Sequence, residues 1–415
     1  MRGGPFAFVI SAAVLVGQMG LSSAGQAFDH RHPRLDLSRI VFPPAPRLLI
    51  SSGELAAAKQ RLDQPPMSVA YAHLRARAER LLGDAHEPRP YCGTDPGVFF
   101  KEAHRQGNAA RDLALCHHLS GEERFGQRAA AFLRAWSSAD PAPGGRLDPG
   151  LAASGMVRAR GAASFVFAND LLASSGLLSV ESEQSIAGWF RQLSVGIRTA
   201  ITLWERKNYF NRQDYQNHVV AHTAGLALIG SALADGSMVQ FALDSPENPR
   251  DLRDLIAGTI MMPGDKPHHR EPRGWPIHRG EIYDRYRHFT APNKGLQYCY
   301  LSLLLLTATA ESAARLGLDF FGYRGPHGGQ LRDSFDFYAD FYRERNSALK
   351  GGFYAGETDR MGLVGDTPAL FEVAAHRYPD STPVFELLRA VDRSAYGSEV
   401  FGPAVLLYGT DLPGP

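Results

Sequence analysis

Residues 214–222 read DYQNHVVAH, and the apolar run TAGLALIGSALAD follows directly. Asp214, Gln216, Asn217, His218 and His222 therefore crowd the first turns of a helix that leads into a core. Polar side chains in such a place cost free energy unless they find partners. The segment GEIYDRYRHFTAPNKGLQYCYLSLLLLTATAE (280–311) is built the same way. Arg285, Arg287 and His288 come first, then Lys294 and Tyr298 on the lead-in to an apolar helix. Two helices carrying Asn, His, Arg and Tyr near their N-terminal ends can converge on one cleft.

One chemistry asks for that set. A uronic-acid polysaccharide is cleaved when the C5 proton, acidified by the adjacent carboxylate, is removed and the C4 oxygen is expelled. The carboxylate must first be neutralised, by an amide such as that of Asn217 with help from a cation. A base must reach C5, and an acid must protonate the leaving oxygen. Tyr and His can do both jobs without a metal or other cofactor. Tyrosine starts near pKa 10, so a nearby Arg or His is needed to favour its phenolate. The stretch MMPGDKPHHREPRGWPIHRGE (261–281) has no helical pattern and carries Lys266, Arg270, Arg273 and Arg279. Loops of that length in a folded domain are usually functional or disordered. Trp275 could stack on a sugar ring there while the cations meet carboxylates, and Arg285, Tyr286, His288 and His222 could line the same cleft. A solvated surface loop is the plain alternative.

Each of these residues also has a purely structural reading. Asn217 could cap its helix. His222, one turn beyond His218, could orient it or be an ordinary core histidine. Arg287 could pair with Asp284 or Glu281, and Tyr298 could be a half-buried aromatic with its hydroxyl bonded. Other functions compete as well. A glycoside hydrolase needs two carboxylates flanking the scissile bond, and Asp170, Asp214, Glu281 and Asp284 form no persuasive pair in the sequence. A metal hydrolase could use His218 and His222 at helical zinc-ligand spacing, but the HExxH glutamate and an obvious third ligand are missing. The non-enzyme alternative is a periplasmic polysaccharide-binding protein that uses the cleft without turnover.

The elements that must position these residues are helical. Of 415 residues, 44% are hydrophobic and 21% charged, which fits a folded chain of one large or two ordinary domains. The net charge of +1 gives no global attraction for a polyanion, so an anionic polysaccharide partner requires a local patch. No basic, aromatic-interleaved pattern points to nucleic acid. Apolar periodicity predicts helices at SGELAAAKQRL, 67–82, 102–119, 123–137, 159–174, 180–204, about 215–235, 247–260, 293–317, 331–346 and 368–377. Only GGFYAGE and EVFGPAVLLYG suggest strands, and both are short. The helices come roughly in pairs without a repeating period, which favours an all-α, single (α/α) toroid over a solenoid. The expected toroid spans 45–400, with long loops over its cleft.

The N-terminus reads as a secretory signal peptide over residues 1–27. MRGG carries one positive charge, PFAFVISAAVLVGQMGL is apolar, and small residues follow. A membrane anchor is the alternative, but the run is broken by Gly17, Gln18 and Gly20 and is short for a bilayer. A periplasmic or secreted protein is expected, without a membrane partner. An oxidising compartment would permit one disulfide among Cys92, Cys116 and Cys299, and Cys92–Cys116 is the pair closest in sequence.

From about residue 46 to 378 the chain resembles the alginate lyase-like polysaccharide lyases, which have an (α/α) toroid. The resemblance runs through RLLISSGELAAAKQRL, NAARDLALCHHLSGEERFGQRAAAFLRAW and RARGAASFVFANDLL. It continues through NHVVAHTAGLALIGSALAD, AESAARLGLDFFGY and FEVAAHRYPD. In that family an Asn-His pair on one helix holds the uronate carboxylate and assists proton abstraction, and an Arg and then a Tyr follow. The resemblance implies Asn217 and His218 in the first roles and Tyr298 as acid and often base, and leaves the cation open, with Arg287 the first choice and Arg285 beside it. Arg287 and Arg285 lie further upstream of Tyr298 than the family's Arg does, which leaves Tyr286, Tyr300 and His288 as alternatives.

Overall fold

The computed structural model describes residues 29–37, 39–207, 215–290, 294–344, 354, 367–395 and 397–412. The expected leader and Asp214 lie outside them, as does GGFYAGE apart from Tyr354. Helix starts follow from local chemistry. Ser51 and Glu54 form a reciprocal capping box at α1 (Ser52–Lys59). After α2 (Met67–Leu81), α3 (Pro96–Ser120) opens with the Asp95 carboxylate accepting from Gly97 and Val98 N–H and with proline in its first turn. It ends on Gly121, whose left-handed φ of 76° stops the helix.

Next come α4 (Glu123–Ser138), α5 (Ser154–Leu172), α6 (Val180–Lys207) and α7 (Asn217–Ala232). Two short helices, α8 (Gly236–Leu243) and α9 (Leu252–Thr259), are capped by Asp235 and Asp251. A 3-10 turn, Tyr283–Tyr286, and a four-residue α10 (Arg287–Thr290) then lead into α11 (Gly295–Arg315). The last helices are α12 (Leu331–Glu344), α13 (Thr367–Arg377), α14 (Thr382–Ala390) and α15 (Ala404–Tyr408).

Helices α3, α5, α7 and α11 stand side by side as an inner row, each packed on the next. Helices α4 and α6 pack on the outside between them, and α8 and α9 cover α7 and α11. The division is written in the residues. Almost every position of α5, α7 and α11 is buried, as an inner helix requires, whereas α4 buries only one face. Helix α13 packs on α15, and α15 on α2, which returns the ring to α3. The architecture is the expected (α/α) toroid. Its packed body runs past both ends of 45–400, since Leu37 and Val405 are buried and the Tyr408 hydroxyl donates to the Leu49 carbonyl. Contacts at matched depth, Asn108 with Ser164, Gly155 with His222, and Ser231 with Ser312, show that α3, α5, α7 and α11 run the same way, so their N-terminal ends lie at one end of the ring.

Three expectations change. EVFGPAVLLYG is not a strand: Gly402 takes a left-handed φ of 66°, Pro403 follows, and one helical turn begins at Ala404. Cys92 and Cys116 are both free. Cys116 is buried in the last turns of α3, whereas Cys92 precedes the helix in a segment whose Arg89 backbone bonds to Gln106, ten residues or about 15 Å of helix short of Cys116. The 261–281 segment is closed at its neck by a short antiparallel ladder that pairs Ile260 with Ile282 and Met261 with Glu281. Gly280 makes the neck possible, because a Cβ there would lie 2.1 Å from the Asp333 carbonyl oxygen. Among the described residues no helix is long and apolar enough to cross a membrane.

Candidate active site

Asn217 is the first residue of α7, so it is not the cap. Gln216 occupies the capping position but makes no side-chain bond to the helix. The Asn217 N–H instead donates to Asp284 Oδ2 at 2.7 Å, and its Nδ2 lies 3.4 Å from Asp284 Oδ1. Asp284 also accepts from Ser302 Oγ on α11 at 2.6 Å. It is wholly buried, and that burial pushes its carboxyl up to about 7.

His218 is half-buried one step along the helix, with Nδ1 3.3 Å from the Ala152 carbonyl. A carbonyl only accepts, so in the neutral ring Nδ1 carries the proton and Nε2 presents a lone pair. Desolvation, reinforced by Arg287 and Arg160, holds its pKa down to about 4. The Trp204 ring of α6 lies 5.4 Å from that imidazole and 5.8 Å from His222. His222 does not line the cleft as expected. It is fully buried behind His218, and neither ring nitrogen has a hydrogen-bond partner among the described residues. Burial pushes its pKa down to about 3. Gly155 leaves room for it, since a Cβ there would stand 2.5 Å from His222 Nε2.

Arg287 lies between two tyrosines, its guanidinium carbon 4.7 Å from the Tyr298 ring centre and 5.8 Å from that of Tyr286. Tyr298 is half-buried on the first turn of α11. Tyr286 is fully buried and stacked on His268 at 3.9 Å, and Tyr300 is 7% exposed. Burial drives the Tyr286 pKa up, further from a usable phenolate. Of these three tyrosines Tyr298 is the most open.

Arg285 was expected to bind substrate, but it is fully buried. It pairs with Glu271 at 2.7 Å and with Glu281, and donates to the Pro276 carbonyl at 2.9 Å. Its role is to pin the 261–281 loop from inside. Trp275 is half-buried in that loop, with its ring 5.8 Å from Phe289 of α10. His288 is half-buried too, between Phe289 at 5.0 Å and Tyr354 at 6.1 Å. Arg279 meets Asp333 at 2.8 Å on the surface.

The carboxylates that a hydrolase would need are placed elsewhere. Asp170 sits near the far end of α5 and accepts from the backbone N–H groups of Arg47 and Leu48. Glu281 holds Arg285, and Asp284 holds Asn217. Among the described residues no three His, Cys, Asp or Glu side chains gather in a metal-binding arrangement. The structure adds residues that sequence reasoning passed over. Trp204 backs both histidines. Arg160 of α5 acts electrostatically on His218 while paired with Glu399 at 2.6 Å. Burial would raise the Glu399 pKa, but Arg160 and His104 hold it down at about 2. The sequence signal for Arg160 is faint: an arginine every second residue in RARG, only one of them facing the site side of α5.

The family model described as Alginate lyase matches residues 99–348. No curated protein sequence matches the chain. Among solved structures, an alginate lyase from Bacteroides ovatus superposes with a TM-score of 0.61 at 15% identity, covering 88% of this chain and 99% of that one. Alginate lyase A1-III from Sphingomonas species A1 gives 0.59 at 15% identity, covering 91% of this chain and 99% of that one. A variant of A1-III complexed with tetrasaccharide gives 0.60 at 15% identity, covering 92% and 100%.

Proposed function

The chain belongs to the alginate lyase family and is a polysaccharide lyase, and we propose that it cleaves alginate or a closely related uronic-acid polymer by metal-independent β-elimination. Asn217, with Arg287, neutralises the carboxylate of the sugar on the acidic side of the scissile bond. That charge would otherwise oppose the carbanion character of the transition state. His218 Nε2 or the Tyr298 oxygen takes the C5 proton. The electron pair of that C–H bond becomes the C4=C5 double bond, the C4–O bond breaks, and the departing oxygen takes its proton from Tyr298.

The observation that supports this reading is that His218 and Tyr298 stand on the first turns of two adjacent inner helices, with Arg287 over the Tyr298 ring and acting electrostatically on His218. The helix ends add positive potential where the carboxylate would sit. Relatives of this fold are alginate lyases, one of them complexed with a tetrasaccharide, which supports an oligomeric uronate as ligand. The proposal includes export to the periplasm or medium, motivated by the apolar run after MRGG. Cell fractionation with N-terminal sequencing tests that part, and a protein retained in the cytoplasm with Met1 intact would contradict it.

The central test incubates purified protein with alginate and with glucuronan, before and after exhaustive chelation. Ultraviolet absorbance of an unsaturated uronate, surviving chelation, is expected. New reducing ends without unsaturation would overturn elimination. Stoichiometric zinc that is lost and regained together with activity would overturn metal independence.

A further inference from the structure

We infer that Asp284 is a positioning residue of the elimination: it fixes the Asn217 amide and ties the three segments that carry the reacting groups. The inference rests on the reading of Asn217 as the carboxylate-neutralising group. One carboxyl group collects three donors from two inner helices, namely the backbone N–H and side-chain amide of Asn217 on α7 and the hydroxyl of Ser302 on α11. Asp284 itself stands in the 3-10 turn that runs directly into Arg287. Ser302 lies one helical turn beyond Tyr298, on the same face of α11. The carboxyl group therefore joins the Asn217–His218 helix end, the Arg287 turn and the Tyr298 helix at one point.

Two features argue that this junction serves the site. Helix α7 has no cap of its own, and Asp284 satisfies its first orphan N–H from another part of the chain. The Asn217 Oδ1 is buried without a partner among the described residues, so the Asp284 contact is the hydrogen bond that orients this amide. Burying a carboxyl group is costly, and a protein needing only a capped helix could use a residue at Gln216 instead. Asp284 is 0% exposed and Asn217 1%, so the carboxyl group acts through the Asn217 amide, which a bound uronate must uncover at the start of α7.

The test is a double-mutant cycle on full-length protein with alginate as substrate. Asp284→Asn keeps an oxygen for the Asn217 N–H and Ser302 but puts an NH2 where the Asn217 Nδ2 must donate. The expected result is a kcat loss of about 10-fold or more with KM nearly unchanged and thermal unfolding preserved, and less than about 3-fold further loss when it is added to Asn217→Ala. Should Asp284→Asn fail to fold, Ser302→Ala takes its place in the same cycle, with a kcat loss of about 2–5-fold expected on its own and almost none beside Asn217→Ala. Full kcat in Asp284→Asn, or losses that multiply across the cycle, overturns the positioning role while leaving Asn217 in place. Full kcat in Asn217→Ala overturns both this inference and the reading beneath it.

Discussion

The Arg287 guanidinium carbon lies 4.7 Å from the centre of the Tyr298 ring. A cation at that distance is attracted to the ring face and holds the tyrosine and the guanidinium together at the start of α11. Tyr298→Phe keeps the ring under the guanidinium and removes only the hydroxyl. A kcat loss of about 10²–10⁴-fold is expected, with little change in KM and an unaltered melting temperature. Steady-state kinetics beside calorimetry check it, and near-normal kcat would remove Tyr298 from the mechanism.

Tyr286 supplies the matched control. Its hydroxyl is buried beside the Arg287 guanidinium, so Tyr286→Phe removes at most one weak contact and leaves the ring stacked on His268. Stability should hold, and kcat should stay within about 3-fold of wild type. A collapse of kcat in this variant alone would transfer the acid role from Tyr298 to Tyr286.

Arg285 and Arg287 stand two residues apart and behave as different kinds of arginine. Arg285→Met strands Glu271 and Glu281 in a dry interior, which should destabilise the fold by about 3–5 kcal/mol and loosen the 261–281 loop. Arg287→Met leaves no buried carboxylate unpaired at contact distance, and should cost about 10²–10³-fold in kcat while sparing stability. Denaturant titration and kinetics on the pair separate the two. Equal stability losses in both variants would show that Arg287 is structural as well.

This pair also shows what the sequence could and could not disclose. Local pattern placed the inner helices well: an apolar run after NHVV or after QYCY is legible because periodicity and length are properties of contiguous residues. Helices α8 and α14 were missed because each is a short, capped segment beside turn residues, too brief for periodicity to declare itself. The site residues Asn217, His218, Arg287 and Tyr298 could be nominated by type, but Arg285 was as good a candidate as Arg287. Its exclusion depends on Glu271 lying against it across 14 residues of loop, and on Glu281 one turn away being buried rather than solvated. Asp284 reaching Asn217 across 67 residues is likewise a tertiary fact. Residue type marks who could do chemistry; burial decides who is free to.

The two histidines of α7 predict an acid sensitivity that a variant can isolate. His222 is fully buried with a pKa near 3, against 6.5 for an exposed histidine. The unfolded chain therefore binds a proton at His222 over a window of pH in which the folded chain does not. Stability is present above about pH 6.5 and is lost as pH falls toward 3, at up to about 1.4 kcal/mol per pH unit for this one group. His218, with a pKa near 4, adds loss of the same sign, whereas Asp284, raised to about 7, works in the opposite direction. Only a difference between proteins is diagnostic. His222→Phe keeps a flat ring against Trp204 and removes the titration together with two unsatisfied nitrogens. Between about pH 7.5 and pH 5 the wild type should lose about 2 kcal/mol more stability than the variant, measured by urea unfolding at both values. Equal losses would mean that His222 finds a hydrogen-bond partner or a proton in the folded protein, and that its buried ring is not neutral by default.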